Sequence, residues 1–274
     1  MKKPRHPQPK EIDVKRIIHR YTAAAYHPEK KQDRIVRETP LTMMVNGEEF
    51  ATLVCSPIDL EELVIGFLAS EGLIRSMEEI RGLTLDRDKG YAYVELSHPP
   101  SRTAAAHSKR IVGSCCGKSR QFYFQSDART AKTVMSRLQV TPAQCIRLIR
   151  KLQQASEAFH QTGGVHNAAL CTPDQLLISY TDIGRHNTLD RIYGHCLQHR
   201  ISLSDKLITF SGRVSSEVLL KTAKIGIGIL LSKSAPTDLA LDLAEDLGIT
   251  VCGFIRGEKM NVYTHGERIV FSQQ

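Results

Sequence analysis

Leu207-Ile208-Thr209-Phe210-Ser211-Gly212-Arg213-Val214-Ser215-Ser216-Glu217-Val218-Leu219-Leu220 decides the fold. A short buried-type strand ends in a Ser-Gly-Arg turn, and an apolar-periodic helix follows at once. The same unit recurs on both sides. Upstream, Thr141-Pro142 caps a helix expected to run to about Gln161. Strands follow at 168–171 and 176–181, then a helix over 187–198. Downstream come a strand at 227–231, a helix over 238–247 and a strand at 250–254. Strands alternating with helices imply an α/β layer on a largely parallel sheet. No exact internal repeat and no low-complexity tract interrupts it.

In this half the polar motifs fall at the carboxyl ends of strands. They are Gly163-Gly164-Val165-His166-Asn167, Asp182-Ile183-Gly184-Arg185-His186-Asn187, Ser211-Gly212-Arg213, Lys233-Ser234-Ala235-Pro236-Thr237-Asp238 and Phe254-Ile255-Arg256-Gly257-Glu258-Lys259. In open α/β sheets ligands bind at that edge. Helix N-termini offer free N–H groups to anions, and arginine grips phosphate bidentately. One such loop is ordinary helix capping. Five on one edge point to an anionic small molecule. His166 and His186 each also read as satisfied buried histidines, and Asp182 as a cap for the following helix.

The N-terminal half is α+β. Residues 41–45 and 50–55 read as strands around Asn46-Gly47, a strong hairpin signal. Asp59 is the expected N-cap of a helix whose apolar face is Leu60, Leu63, Val64, Phe67 and Leu68. Residues 92–96 form another strand, and 99–107 a loop. Residues 1–33 are basic and read as a partly disordered arm. The division is then 1–33, 34–125 and 126–274.

The loop leads into Lys109-Arg110-Ile111-Val112-Gly113-Ser114-Cys115-Cys116-Gly117-Lys118-Ser119-Arg120. Nearby cations favour the reactive thiolate, and the flanking glycines leave the backbone free. Buried structural thiols are one reading. A bond between neighbours is a second, but consecutive Cα atoms about 3.8 Å apart are too close for an unstrained disulfide. Thiol chemistry on a carried sulfur or a metal is the third and favoured reading.

The chain has 274 residues, seven cysteines without a disulfide framework and a net charge of +8. A reducing, cytoplasmic setting is expected. No apolar run approaches a membrane span. The charge calls for an anionic partner, a phosphorylated cofactor or nucleic acid. No Cys-x-x-Cys occurs, and the zinc-deaminase His-x-Glu with Pro-Cys-x-x-Cys is absent. Dinucleotide, Walker A and nucleophile-elbow signatures are absent too.

Together these residues resemble the FdhD family, accessory sulfurtransferases needed to make formate dehydrogenase active. The resemblance rests on Pro40-Leu41, Val45-Asn46-Gly47, Glu62-Leu63, Gly66-Phe67, Glu71-Gly72, the run Ser114 to Ser119, and the strand-end motifs from Gly164 to Gly257. It implies a cytidine deaminase-like fold without the zinc, so that the chain is α/β in class and α+β overall. It implies a cysteine that accepts persulfide sulfur from a cysteine desulfurase and passes it to the molybdenum cofactor in its bis-guanine-dinucleotide form, for the formate dehydrogenase apoenzyme. It implies a homodimer, and a cofactor site that includes Phe254, Ile255, Arg256, Gly257, Glu258 and Lys259. His166, Arg185, His186, Arg213 and Ser234 are weaker candidates, no metal ligands are expected, and GDP is a natural analogue. Many members carry Cys-x-x-Cys-Gly-Lys, whereas here Cys115 and Cys116 touch. By order Cys115 is the family's first cysteine, by register Cys116 is its second, and either can be the carrier.

The reading is therefore a sulfur carrier that binds neither membrane nor nucleic acid. Its rivals are a zinc-dependent base deaminase and a zinc-independent nucleotide- or nucleic-acid-binding module without sulfur transfer. The first lacks its signatures. The second lacks a basic stripe interleaved with aromatics.

Overall fold

The structure, a computed structural model, describes residues 12–23, 27–98, 110–112 and 133–271. Asn46 and Gly47 both take positive φ, 50° and 86°. That is the conformation a tight hairpin demands, and it closes β3 (Thr39–Val45) onto β4 (Glu48–Cys55). The helix α1 (Leu60–Ser70) follows, with all five expected apolar residues buried. Asp59 stands at its N-cap as expected, but with φ 43° and no side-chain cap. Its carbonyl instead accepts from the Leu63 N–H and from Arg191. With β5 (Ile80–Asp86), β6 (Tyr91–Leu96) and β7 (Arg110–Val112), these strands form a sheet ordered β5-β6-β3-β4-β7. The β7 strand runs parallel to β4 and pairs Val112 with Leu53.

The second half follows the alternation read from the sequence, with three differences. The helix expected to reach Gln161 is two: α2 (Pro142–Gln154), started by a Thr141–Gln144 capping box, and α3 (Glu157–Thr162). The break falls where Ser156 turns its hydroxyl to Asn167 Oδ1, 2.8 Å away. After β8 (His166–Cys171), β9 (Leu176–Asp182), α4 (Arg185–Gln198), β10 (Leu207–Phe210), α5 (Ser216–Ile225), β11 (Ile229–Ser232), α6 (Asp238–Leu247) and β12 (Thr250–Arg256) comes an unforeseen strand, β13 (Lys259–Val262). The sheet order is β13-β12-β11-β10-β8-β9. The α/β class holds, but the parallel part is the centre, β10 to β12. The flanks are antiparallel: β8–β9 and β12–β13 are hairpins, whose turns reverse the chain, and β8 also runs antiparallel to β10.

The arm read as residues 1–33 instead carries an antiparallel ribbon that runs past its expected end, β1 (Asp13–Arg20) and β2 (Glu29–Val36), and joins neither large sheet. Both strands are mostly polar, and Arg34 pairs with Asp13 across them, so an amphipathic pattern was not there to be read. The proposed boundary at 125/126 lies outside the described residues.

Strand alternation divides the core of the six-stranded sheet. Leu170, Ile208, Phe210 and Leu230 face α4, α5 and α6, while Cys171, Leu207, Leu231 and Cys252 face α2. On the α4 side the two halves meet through α1 packed on α4. Glycine sets that spacing. A Cβ on Gly66 would lie 1.7 Å from the Asp190 carbonyl oxygen, and one on Gly194 would lie 2.0 Å from that of Glu62.

Candidate functional site at the strand-end edge

A cleft of about 580 Å³ opens at the carboxyl edge of β10, β11 and β12, a volume suited to one small-molecule ligand. The five motifs supply its walls, though Gly163 to Asn167 stand at the amino end of β8 and not at the carboxyl end expected. They reach this edge because β8 runs antiparallel to β10. The others give Ile183, Ser211 after β10, Lys233 and Ser234 after β11, and Arg256 at the end of β12. Sequence reasoning placed these motifs on one edge. It missed the opposite wall, where Ile149, Gln153, Phe159 and His160 come from α2 and α3. Those residues read only as helix faces. The helix break at Ser156, which turns them to the cleft, had no strong signal.

The loops hold one another. The Ser234 hydroxyl donates to the Ser211 carbonyl at 3.1 Å, and the Ser232 hydroxyl to the Gly212 carbonyl at 2.8 Å. Phe254 N–H donates to the Ser234 carbonyl at 3.2 Å while Phe254 itself sits in the left-handed region, φ 51°. That strained backbone turns its ring outward, 41% exposed, with the Arg256 guanidinium 5.7 Å from the ring centre. Arg256 Nε donates to the Lys233 carbonyl at 3.3 Å, bringing two cations to one wall.

The candidates from 254–259 therefore separate. Arg256 lines the cleft. Ile255 is 1% exposed and packs in the core beneath α2. Gly257, φ 57°, makes the turn, and Glu258 pairs with Arg150 at 2.6 Å. Lys259 opens β13 opposite Arg256. Of the weaker candidates, His166 and Ser234 line the cleft, and Arg185, His186 and Arg213 do not. His186 Nε2 lies 3.0 Å from Glu217 Oε2. Burial lowers the His166 pKa, helped by Arg185 and by coupling to His186 and opposed by Asp182, so the cleft carries a neutral imidazole near pH 7.

Asp182 is more than a helix cap. Its Oδ1 accepts from Gly184 N–H at 2.7 Å and Asn187 Nδ2 at 2.8 Å. Its Oδ2 accepts from Ser56 N–H at 3.0 Å and from the Arg191 guanidinium. Arg191, with 0% exposure, also donates to the carbonyls of Ser56, Ile58 and Asp59. This ion pair fastens α4 to the end of β4. Sequence reasoning missed Arg191. The available signal was a charged pair, Asp190-Arg191, between Leu189 and Ile192 on an apolar helix face.

The cysteines divide as sharply. Cys55, Cys145, Cys171, Cys196 and Cys252 are all free and buried. Burial pushes the thiols of Cys55, Cys145, Cys171 and Cys196 up to about 12, and that of Cys252 up as well. None is a thiolate near neutrality, so none suits nucleophilic sulfur chemistry. Cys115 and Cys116 lie outside the described residues, as does most of the expected 101–118 loop. Among the described residues, no group of three or more His, Cys, Asp or Glu is arranged to hold a metal ion, and no helix is long and apolar enough to cross a membrane.

Comparison with known proteins agrees with this architecture. The sequence profile described as the FdhD/NarQ family matches residues 36–270. A sulfur carrier protein FdhD of Bacillus pumilus is 56% identical over 258 residues, covering 94% of this chain and 98% of its own. Its namesake in Halalkalibacterium halodurans is 60% identical over 242 residues, 88% of this chain and 90% of its own. A crystal structure from Desulfotalea psychrophila, described as a formate dehydrogenase accessory protein, superposes with a TM-score of 0.77 at 25% identity, over 94% of this chain and all of that one. The fold, the strand-end motifs and these relatives agree, and the chain belongs to the FdhD/NarQ family.

Proposed function

We propose that this protein is a sulfur carrier. It accepts sulfur as a persulfide on Cys115 or Cys116 from a cysteine desulfurase and delivers it to the molybdenum cofactor, in its bis-guanine-dinucleotide form, for formate dehydrogenase. Its relatives are named sulfur carrier proteins, which supports the carrier role. The observation that carries the assignment to 115–116 is the state of the other thiols. All five described cysteines are buried, with pKa values pushed far above neutrality. Loading is a thiol exchange. The carrier thiolate attacks the outer sulfur of the donor persulfide, the donor's S–S bond breaks, and the donor cysteine leaves as a thiolate. The new persulfide is then the sulfur source for the molybdenum centre, which is the substrate.

In this reading the strand-end cleft holds a guanine nucleotide end of the substrate. Arg256 and Lys233 meet the phosphates, the outward Phe254 ring covers the base or ribose, and neutral His166 exchanges a hydrogen bond without adding charge. The protein works in the cytoplasm as a homodimer, with the desulfurase and the formate dehydrogenase apoenzyme as partners. Mass spectrometry after incubation with a cysteine desulfurase and cysteine tests the first step. A gain of one sulfur mapped to 115 or 116, lost in the double alanine variant, is expected. Loading that persists in that variant, or maps to a buried cysteine, removes the assignment.

A further inference from the structure

The β1–β2 ribbon is anchored at its base. Ile12 and Val36 pack with Ala158 and Val165, and the Arg37 N–H donates to the Ile12 carbonyl at 2.8 Å. Beyond that base the ribbon pairs with no other strand, and a two-stranded hairpin alone is at best marginally stable in water. Its two faces differ in charge. Residues directly opposite each other share a face. One face sets Arg16 against Asp33 and Arg20 against Glu29. The other sets Lys15 against Arg34 and His19 against Lys30, with Ile17, 66% exposed, between them. Asp13 at the base takes Arg34 at 3.0 Å, and no further carboxylate lies on this face. Like charges directly opposite destabilise a strand pair, so this cationic row is kept at a local cost.

The helix α6 is the electrostatic counterpart. It carries Asp238, Asp242, Glu245 and Asp246 and no lysine or arginine, in a chain of net charge +8. Glu245 lies 3.5 Å from His265, but among the described residues the three aspartates have no cationic partner. They recur every four residues and so form one ridge, a spacing at which like charges destabilise a helix. Asp246 also sits in the last turn, where the helix dipole disfavours an anion. Leu239, 45% exposed, shares this flank, three residues before Asp242. The lengths agree as well. Lys15 and the residue opposite Lys30 are four apart on β1, about 14 Å, while Asp238 and Asp246 are about 12 Å apart along the helix axis. Each surface therefore sets one exposed apolar side chain within a row of a single sign.

We propose that the β1–β2 ribbon of one copy of this chain lies across α6 of a second copy, and the reverse, in an arm-exchanged two-fold dimer. Lys15 and Lys30 meet the aspartate ridge, and Ile17 covers Leu239. Ribbon against ribbon would juxtapose like charges, and so would α6 against α6, so the complementary contact is the one that electrostatics selects. A two-fold axis makes that contact twice. The inference locates the interface of the homodimer in the functional reading above and rests on that part of it alone. Sulfur loading and the nucleotide cleft play no part in it.

Sedimentation velocity of the full chain and of two charge-reversed variants tests this. Lys15→Glu combined with Lys30→Glu should raise the dimer dissociation constant by about a hundredfold or more, because attraction becomes repulsion. Asp242→Lys combined with Asp246→Lys should do the same. An equal mixture of the two variants should recover a dimer. In it the reversed ribbon meets the reversed helix, and the native ribbon meets the native helix. That recovery also shows that both variants fold, and all four positions lie on exposed surface or the helix exterior. A parent dimer that either reversal leaves intact would overturn the proposal while the homodimer stands, and would assign the ribbon to an acidic partner of another kind. A mixture that stays monomeric would overturn it too. A parent chain that is monomeric at every concentration would remove the homodimer and the proposal together.

Discussion

The ion-pair latch at Asp182 and the strand-end cleft share a motif but treat polar groups in opposite ways. In the latch both carboxylate oxygens of Asp182 are occupied, and Arg191 meets three carbonyls besides. In the cleft, among the described residues, Arg256 donates only through Nε, which leaves its other N–H groups for a ligand. A charge that is buried against a counter-ion and three carbonyls holds the fold. One that is positioned but left with donors to offer is prepared for a ligand. Ile183, one residue after Asp182, lines the cleft, so the change of role takes a single step along the chain.

The sharpest way to break this contrast is Asp182→Ala. It leaves the Arg191 guanidinium buried without a counter-ion, and removing one partner of such a pair costs about 3–5 kcal/mol. Urea denaturation should show that loss. A change below about 1 kcal/mol would move Asp182 out of the structural class. Next, Gly66→Ala forces α1 from α4, because its Cβ would meet the Asp190 carbonyl at 1.7 Å. Overpacking of this kind costs about 1–3 kcal/mol, occasionally more, again read by denaturation. Arg256→Ala should do the reverse of both. Stability stays within about 0.5 kcal/mol, while calorimetric GDP affinity falls about tenfold, or about 1.4 kcal/mol. Unchanged GDP binding would remove Arg256 from the site, and persulfide loading should be unaffected either way.

The smallest effect concerns pH. His195 Nδ1 lies 3.1 Å from the Tyr180 hydroxyl, and its ring is 4.3 Å from that of His199. Burial, then the neighbouring His199, lower its pKa from 6.5 to about 4. The folded state therefore resists a proton that the unfolded state takes up below pH 6.5. Stability from this residue is complete above pH 6.5 and is lost as pH falls toward 4. The ring is partly exposed, so solvent screening reduces the effect to about 1 kcal/mol or less. His195→Gln should flatten the pH dependence of the urea midpoint across that window. An identical slope would assign it to other groups, the lowered His166 and His186 among them.

Where local chemistry forces one conformation, the sequence was readable. Asn46-Gly47 required its turn, Thr141-Pro142 required a helix start, and β10 and α6 have the expected bounds. The failures depend on distant partners. Ser156 breaks a helix because Asn167, eleven residues on, takes its hydroxyl. Arg191 is buried because Ser56, Ile58 and Asp59 turn carbonyls toward it from more than 130 positions away. The β1–β2 ribbon is polar on both faces, so neither strand shows the alternation that marks a half-buried edge. The cleft was half legible. Strand-end loops announce themselves through glycine and serine, whereas the α2–α3 wall is ordinary helix sequence turned inward by tertiary contact.

The glycine-spaced crossing of α1 and α4 also has a consequence for synthesis. The partners of Glu62 and Gly66 are Gly194 and Asp190, far later in the chain. At elongation rates of about 5–20 residues per second, α1 waits on the order of 6–25 seconds with its α4-facing side uncovered. During that interval the N-terminal sheet is a nascent fragment with an unprotected apolar flank. The emergence of α4 from the ribosome is therefore the event that ends this exposure and commits the chain to its native form.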